Sequence, residues 1–204
     1  VVRSFAIRTD YVGYERGSKR VVVRHNIIPS DFYSLRFAVR FCKGFDFALG
    51  GRLHGLGPAT PITGGKAVNP NGWSARLMFR KNDGLQTYIY HQNMKKKYVD
   101  VKIAKDYKFI PDRYYQLKMD VQLNNLLTGD NGTVTVFVDG QKVIFHNNIR
   151  FNSQSGDKGL ISKVLFSTFH GGNSPEWSPR KSNGEYKTDC AYFDDFKLQN
   201  FEKL

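Results

Sequence analysis

The sequence predicts an all-β protein built as an antiparallel sandwich of two sheets. Apolar and polar residues alternate in several short runs, turn residues separate these runs, and no window shows a sustained helical period. The 16 Phe and 11 Tyr residues favour strands, because aromatic side chains pack well on a pleated surface. Since the 204 residues contain neither a linker nor an internal repeat, we expect one domain over residues 1–204.

Three runs show the alternation most clearly, at residues 35–41, 116–123 and 133–138. Asp-Gly at 139–140 follows the third run and predicts a hairpin, because both residues tolerate the backbone of a tight turn. Asn-Asp-Gly at 82–84 separates two further strand-like runs. Short strands at this spacing are typical of a sandwich or jelly roll rather than of β-α-β units.

The chain is strongly basic, with 31 Lys and Arg against 18 Asp and Glu and a formal net charge of +13. Such an excess indicates a partner of opposite charge: nucleic acid, an anionic membrane surface or an acidic polymer. No recognisable nucleic-acid-binding motif is present, and no apolar stretch approaches the ~20 residues of a membrane span. The charge by itself leaves these classes of partner open.

Two cysteines, Cys42 and Cys190, lie far apart in the sequence and leave open either one disulfide or two buried thiols. The chain opens on Val-Val-Arg without a signal peptide, which fits a cytosolic protein or a mature secreted one, and we expect the secreted form. The five histidines have no metal-ligand spacing, so we expect no metal and no cofactor.

Two long loops, at residues 57–72 and 171–188, are candidates for binding loops. The first contains Lys66 and the second contains Trp177, which would stack on a sugar ring or anchor its own loop. Both residues are predicted to contact the ligand.

The most informative segment contains two neighbouring strands. On the first, Ser74, Arg76 and Arg80 share the face opposite the core face, and on the second Tyr88, Tyr90 and Gln92 share a face. An odd-length turn with partner numbers summing to about 166 would place Arg76 opposite Tyr90 and Met78 opposite Tyr88.

This combination suits elimination from a uronic acid. Arginine matches a carboxylate bidentately, and a tyrosine beside an arginine is more easily deprotonated because the cation favours the phenolate. A phenolate can then act as general base and the phenol as general acid. The same residues would also form an ordinary polar sheet face.

The motif series of this chain resembles polysaccharide lyase family 14, which contains alginate and glucuronan lyases. The resemblance rests on GGRLHGL at 50–56, SARLMFR at 74–80, YIY at 88–90, FSTFHGG at 166–172 and FDDF at 193–196, and covers about 35–198. The family pattern runs roughly G-G-K-L-P-G-L, S-x-R-x-M-W/F-R and Y-x-Y. The resemblance implies a β-jelly roll with a concave substrate cleft.

The resemblance also implies site residues. The catalytic set would be Arg52, Arg76, Tyr88 and Tyr90, with Ser74 positioning the substrate. Two positions depart from the family. Arg52 replaces a lysine and keeps the positive charge, but an arginine cannot deprotonate. His54 replaces a proline.

The remaining substrate-binding candidates complete the prediction. His54 shares the parity of Arg52 and would be a proton-transfer group or a surface residue. His170 precedes a glycine turn and would lie at the rim of the cleft. We therefore predict a lyase for a uronate polymer, alginate slightly ahead of glucuronan. We expect an acidic polysaccharide as the partner, no nucleic acid, no membrane, and a monomer. The alternatives are a non-catalytic carbohydrate-binding module and a nucleic-acid binder.

Overall fold

The computed structural model describes residues 7–13, 21–95, 99–125, 129–172 and 174–200. Within these ranges the chain forms eleven β-strands and two short 3-10 turns. The strands are β1 Ile7–Tyr11, β2 Val21–Ser30, β3 Phe32–Phe41, β4 Gly50–Gly57, β5 Ser74–Arg80, β6 Gly84–Tyr90, β7 Tyr114–Gln122, β8 Gly132–Val138, β9 Gln141–Ile149, β10 Ile161–His170 and β11 Asp189–Gln199. The 3-10 turns are Asp157–Gly159 and Pro175–Trp177. The described part of the chain has no helix long and apolar enough to span a membrane.

The strands form two antiparallel sheets that pack face to face. The six-stranded sheet has the order β1-β11-β3-β7-β8-β9, and the five-stranded sheet has the order β2-β10-β4-β5-β6. This confirms the predicted all-β fold, a two-sheet antiparallel sandwich of the jelly-roll type.

The core lies between the sheets and follows the alternation of the sequence. On β3, Phe37 and Val39 are fully buried. On β7, Leu117 and Met119 are fully buried, and the β7 residues that alternate with them are partly exposed. Each such side chain contributes roughly 1.5–3 kcal/mol by leaving water. On β7, the burial of one face therefore leaves the other face toward solvent.

Two hairpins confirm the predicted turns, and one corrects the predicted register. Asp139 and Gly140 both have positive φ, as a two-residue hairpin between β8 and β9 requires. Between β5 and β6 the turn has three residues, so the odd length is confirmed. However, Arg76 pairs with Tyr88, not with Tyr90.

The reason lies in the turn itself. Asn82 and Asp83 adopt left-handed conformations, which lets Arg80 pair directly with Gly84. Met78 consequently faces Gln86 instead of Tyr88. Because the shift is by two residues, every side chain keeps its predicted face.

The two cysteines form a disulfide and are not two buried thiols. Cys42 follows β3 and Cys190 lies on β11, and the two form a disulfide with Cα atoms 5.4 Å apart. The amide of Cys42 also donates to the carbonyl of Cys190 at 2.9 Å. The bridge therefore joins two neighbouring strands of the six-stranded sheet.

Candidate active site

A pocket of about 500 Å³ lies on the outer face of the five-stranded sheet. Its lining comes from all five strands of this sheet and from the loops at 58–73 and 171–188. We call it the arginine pocket, and its lining residues are Val22, Arg24, Arg52, Thr63, Gly64, Arg76, Met78, Arg80, Gln86, Tyr88, Leu165, Ser167, Phe169, Gly172 and Trp177.

The positive charge of the protein is unevenly divided between the two sheets. The strands of the five-stranded sheet contain five Lys or Arg residues and no Asp or Glu. The strands of the six-stranded sheet contain six Lys or Arg residues and five Asp residues. Because nothing on its own strands balances the charge, the sheet with the arginine pocket is the one suited to an anionic ligand.

Arg76 lies on the floor of this pocket, on β5. It pairs with Gly55 on β4, and the missing side chain of Gly55 leaves the space that Arg76 occupies. Burial and the charge of Arg52 lower the pKa of Arg76 to about 9, so the group remains charged at neutral pH. Its Nε and Nη2 atoms are buried and have no partner among the described residues. These two donors can hold a carboxylate in the bidentate geometry that guanidinium groups favour.

Tyr88 stands beside Arg76 and under Arg52. The Cζ atom of Arg52 lies 3.8 Å from the centroid of the Tyr88 ring, and that of Arg76 lies 5.3 Å from it. Burial opposes ionisation of Tyr88. The charge of Arg52, hydrogen bonds from Arg52 and Tyr90 and the charge of Arg76 outweigh burial, so the pKa of Tyr88 is lowered. Tyr88 is therefore the group of this pocket best prepared to act as a base.

Arg52 is itself held in place by its surroundings. Its Nη1 atom contacts the sulfur of Met78 at 2.8 Å, and its carbonyl accepts a hydrogen bond from the hydroxyl of Tyr11 at 2.9 Å. Gln86 contacts the same sulfur at 3.6 Å. Met78 and Gln86 thus fix the guanidinium over the tyrosine ring.

Tyr90 differs from Tyr88 in its environment. It is fully buried, its hydroxyl accepts a hydrogen bond from the amide of Gly65 at 2.8 Å, and its ring centroid lies 5.7 Å from that of Tyr88. Burial and the hydrogen bond to Tyr88 raise the pKa of Tyr90. The two tyrosines therefore have opposite tendencies, with Tyr90 kept as the neutral donor to Tyr88.

Only some of the other predicted residues line the pocket. Arg80 and Trp177 line the pocket. Ser74 is fully buried and donates to the carbonyl of Ile62 at 2.7 Å, so it anchors the 58–73 loop. Gln92 anchors the same loop, because its amide donates to the carbonyls of residues 69, 72 and 151. Lys66 is exposed on that loop and is not part of the lining.

His54 does not lie on the face of Arg52, which corrects its prediction as a substrate-binding residue. A β-bulge between Arg52 and Gly55 breaks the alternation and turns the imidazole inward. There it stacks on Phe166 with ring centroids 4.2 Å apart, and Nδ1 accepts a hydrogen bond from the amide of Ser167. Burial lowers the pKa of His54 to about 3, so it is a neutral core residue rather than a surface or proton-transfer group.

His170 is likewise buried and does not reach the rim of the pocket. Its ring stacks on Phe45 at 5.4 Å, and its Nε2 donates to the carbonyl of Asp46 at 2.8 Å. The residue therefore ties β10 to the loop before β4 instead of contacting a ligand.

Sequence reasoning assigned no role to Arg24, Met78 and Gln86, which also line the pocket. Met78 and Gln86 have the parity of the pocket face, so their position was available from the alternation. Arg24 offered no such signal, because apolar and polar residues do not alternate along residues 21–30. In the described ranges, no group of three or more His, Cys, Asp or Glu side chains could hold a metal ion.

Together the fold and the pocket define a class of protein: a jelly roll that presents arginines and a readily ionised tyrosine to an anionic ligand. The chain belongs to the polysaccharide lyase 14 family, whose sequence model matches residues 24–196. No curated protein sequence matches the chain.

Solved structures share the fold. A variant of alginate lyase Aly36B, in complex with an alginate tetrasaccharide, superposes with a TM-score of 0.81 at 22% identity, over 96% of this chain and 81% of the other. The alginate lyase vAL-1 from Chlorella virus superposes with a TM-score of 0.73 at 21% identity, over 98% of this chain and 88% of the other. The endo-β-1,4-glucuronan lyase of the fungus Trichoderma reesei superposes with a TM-score of 0.61 at 12% identity, over 96% of this chain and 81% of the other.

Proposed function

We propose that this protein cleaves a uronate-containing polysaccharide by β-elimination, with mannuronate-rich alginate favoured over glucuronan. One observation carries the proposal: Tyr88, whose pKa is lowered, stands beside Arg76, whose buried Nε and Nη2 have no partner in the described structure. Membership of the polysaccharide lyase 14 family supports the reaction class. The alginate bound to the Aly36B variant supports the favoured substrate.

The first step is recognition of the uronate carboxylate by Arg76. Two parallel hydrogen bonds to the guanidinium spread the negative charge, so the proton on the adjacent ring carbon, C5, becomes more acidic. Burial of Arg76 strengthens this effect, because a charge acts over a lower effective dielectric away from water.

Tyr88 performs the proton transfers. Its phenolate takes the C5 proton, the electron pair forms a C4–C5 double bond, and the bond from C4 to the glycosidic oxygen breaks. The phenol then returns the proton to that oxygen, so one residue serves as base and acid. Arg52 stabilises the phenolate by its charge and takes no proton itself.

The test is the ultraviolet absorbance of the conjugated double bond formed at each cleavage. We expect absorbance to rise with polymannuronate and, more slowly, with glucuronan, and Tyr88→Phe to abolish the rise. Tyr192→Phe is the matched control, because Arg40 lies 4.6 Å from that ring on the opposite sheet. Full activity of Tyr88→Phe would remove Tyr88 from the mechanism.

A non-catalytic binding module is the second candidate, favoured by the arginine at position 52 where the family pattern has lysine. It predicts binding of the uronate polymer to the arginine pocket with no rise in absorbance. In that case Arg76→Ala weakens binding, whereas Tyr88→Phe leaves it nearly unchanged.

We further propose a secreted, monomeric protein with residues 1–204 as one domain that uses no cofactor and binds no nucleic acid. The disulfide supports an oxidising compartment, since such bridges are rare in the cytosol. Sedimentation tests the monomer, and a comparison of polymannuronate with DNA binding at moderate salt tests the choice of polyanion.

A further inference from the structure

Arg24 lies on the outer strand β2, at the side of the arginine pocket opposite Tyr88. Strand pairing places it in a row that crosses the whole five-stranded sheet. The row reads Arg24, Leu165, Gly55, Arg76 and Tyr88, one residue from each strand. With strands about 4.8 Å apart, the Cα atoms of Arg24 and Arg76 are separated by about 14 Å.

The floor between the two arginines is low. Gly55 has no side chain, and Leu165 is buried with 4% of its surface exposed. A sugar chain lying across the strands along this row would meet a guanidinium at each end of the gap. The first guanidinium, Arg76, stands beside the proposed base.

Among the described residues, no acidic side chain compensates the charge of Arg24. No described residue forms a salt bridge with Arg24, and its charge contributes to the lowered pKa of Arg76. Some arginines on the other side of the molecule are paired, for example Arg8 with Asp10 at 2.9 Å and Arg150 with Asp130 at 2.8 Å. Two positive charges that face one pocket repel each other unless a bound anion compensates them.

We propose that Arg24 binds a second carboxylate of the same polysaccharide chain, belonging to a uronate unit remote from the one held by Arg76. The pocket therefore selects for substrates long enough to reach both arginines. This inference rests on the proposed function for the chemistry of the anion, while the binding site itself does not require turnover.

The test compares Arg24→Gln with Arg36→Gln, an exposed arginine on the other sheet. Binding is measured by calorimetry in the Tyr88→Phe background with mannuronate oligomers of two, four and six units. Arg24→Gln is expected to raise the Kd of the longer oligomers about tenfold, as for the loss of one charge-assisted hydrogen bond. The dimer, which reaches only one arginine, should be unaffected. In the otherwise native enzyme, KM for the polymer should rise more than kcat falls.

The inference is overturned if Arg24→Gln raises the Kd of all oligomers by the same factor. It is also overturned if Arg24→Gln raises the Kd of no oligomer more than Arg36→Gln does. Failure of the proposed function has a different signature. An absence of turnover with a length-dependent loss of binding in Arg24→Gln would reject the lyase and retain the second carboxylate site. Turnover with a length-independent effect of Arg24→Gln would retain the lyase and reject the second carboxylate site. Absence of any uronate binding would reject both.

Discussion

Replacement of Gly55 by alanine tests whether the space beside Arg76 controls the reaction. A Cβ atom at Gly55 would lie 2.2 Å from the carbonyl oxygen of Ala75 and 2.5 Å from Cγ of Arg76. Since the nearest atom belongs to the backbone of β5, no simple side-chain rotation relieves the contact. Strands β4 and β5 must separate by several tenths of an ångström or more.

The size of the effect follows from this contact. Overpacking of this kind costs roughly 1–3 kcal/mol of unfolding free energy. A domain of this length loses about 2–4 °C in Tm for each kcal/mol, so we expect a decrease of about 2–12 °C. Displacement of the Arg76 guanidinium by about 1 Å would lower kcat/KM by roughly 100-fold.

The assay combines thermal denaturation with initial rates on polymannuronate. Gly84→Ala is the matched control in the same sheet, because a Cβ atom there meets nothing closer than 3.6 Å. We expect Gly84→Ala to retain both Tm and rate within small differences. The reasoning is refuted if Gly55→Ala folds with the native Tm and turns over at the native rate.

Three further predictions concern charge, protonation and covalent linkage. Arg52→Gln should raise the pKa of Tyr88 and move the rise of kcat/KM to higher pH, and an unmoved pH profile would count against the Arg52–Tyr88 contact. The folded-state pKa of His54, about 3, lies below its ordinary value of 6.5, so protonation of the unfolded chain should lower stability by about 2 kcal/mol between pH 7.5 and 5. His54→Gln should reduce that slope in denaturant titrations, and an unchanged slope would contradict the assignment. Replacing Cys42 and Cys190 by alanine should lower the unfolding free energy by about 2–5 kcal/mol, since the bridge spans 148 residues, and a reductant without effect on the native Tm would argue against this.

The alternation of the sequence determined the fold class and the faces of the central strands. Arg76 and Tyr88 were placed on the outer face because successive strand residues point to opposite sides, a property of the local backbone. The turn chemistry at residues 82–84 and 139–140 likewise located the hairpins from local conformational preference alone.

Only the tertiary structure decided which residues meet. The inward turn of His54 depends on a bulge that forms because β10 and β5 pair with β4 in a particular register, which no local pattern encodes. Arg24 enters the pocket because β2, distant in sequence, pairs with β10. The sequence by itself determined which face each central strand offers. The order of the strands and their register decided which of these side chains share a site, because pairing is a long-range property fixed by burial of the whole core.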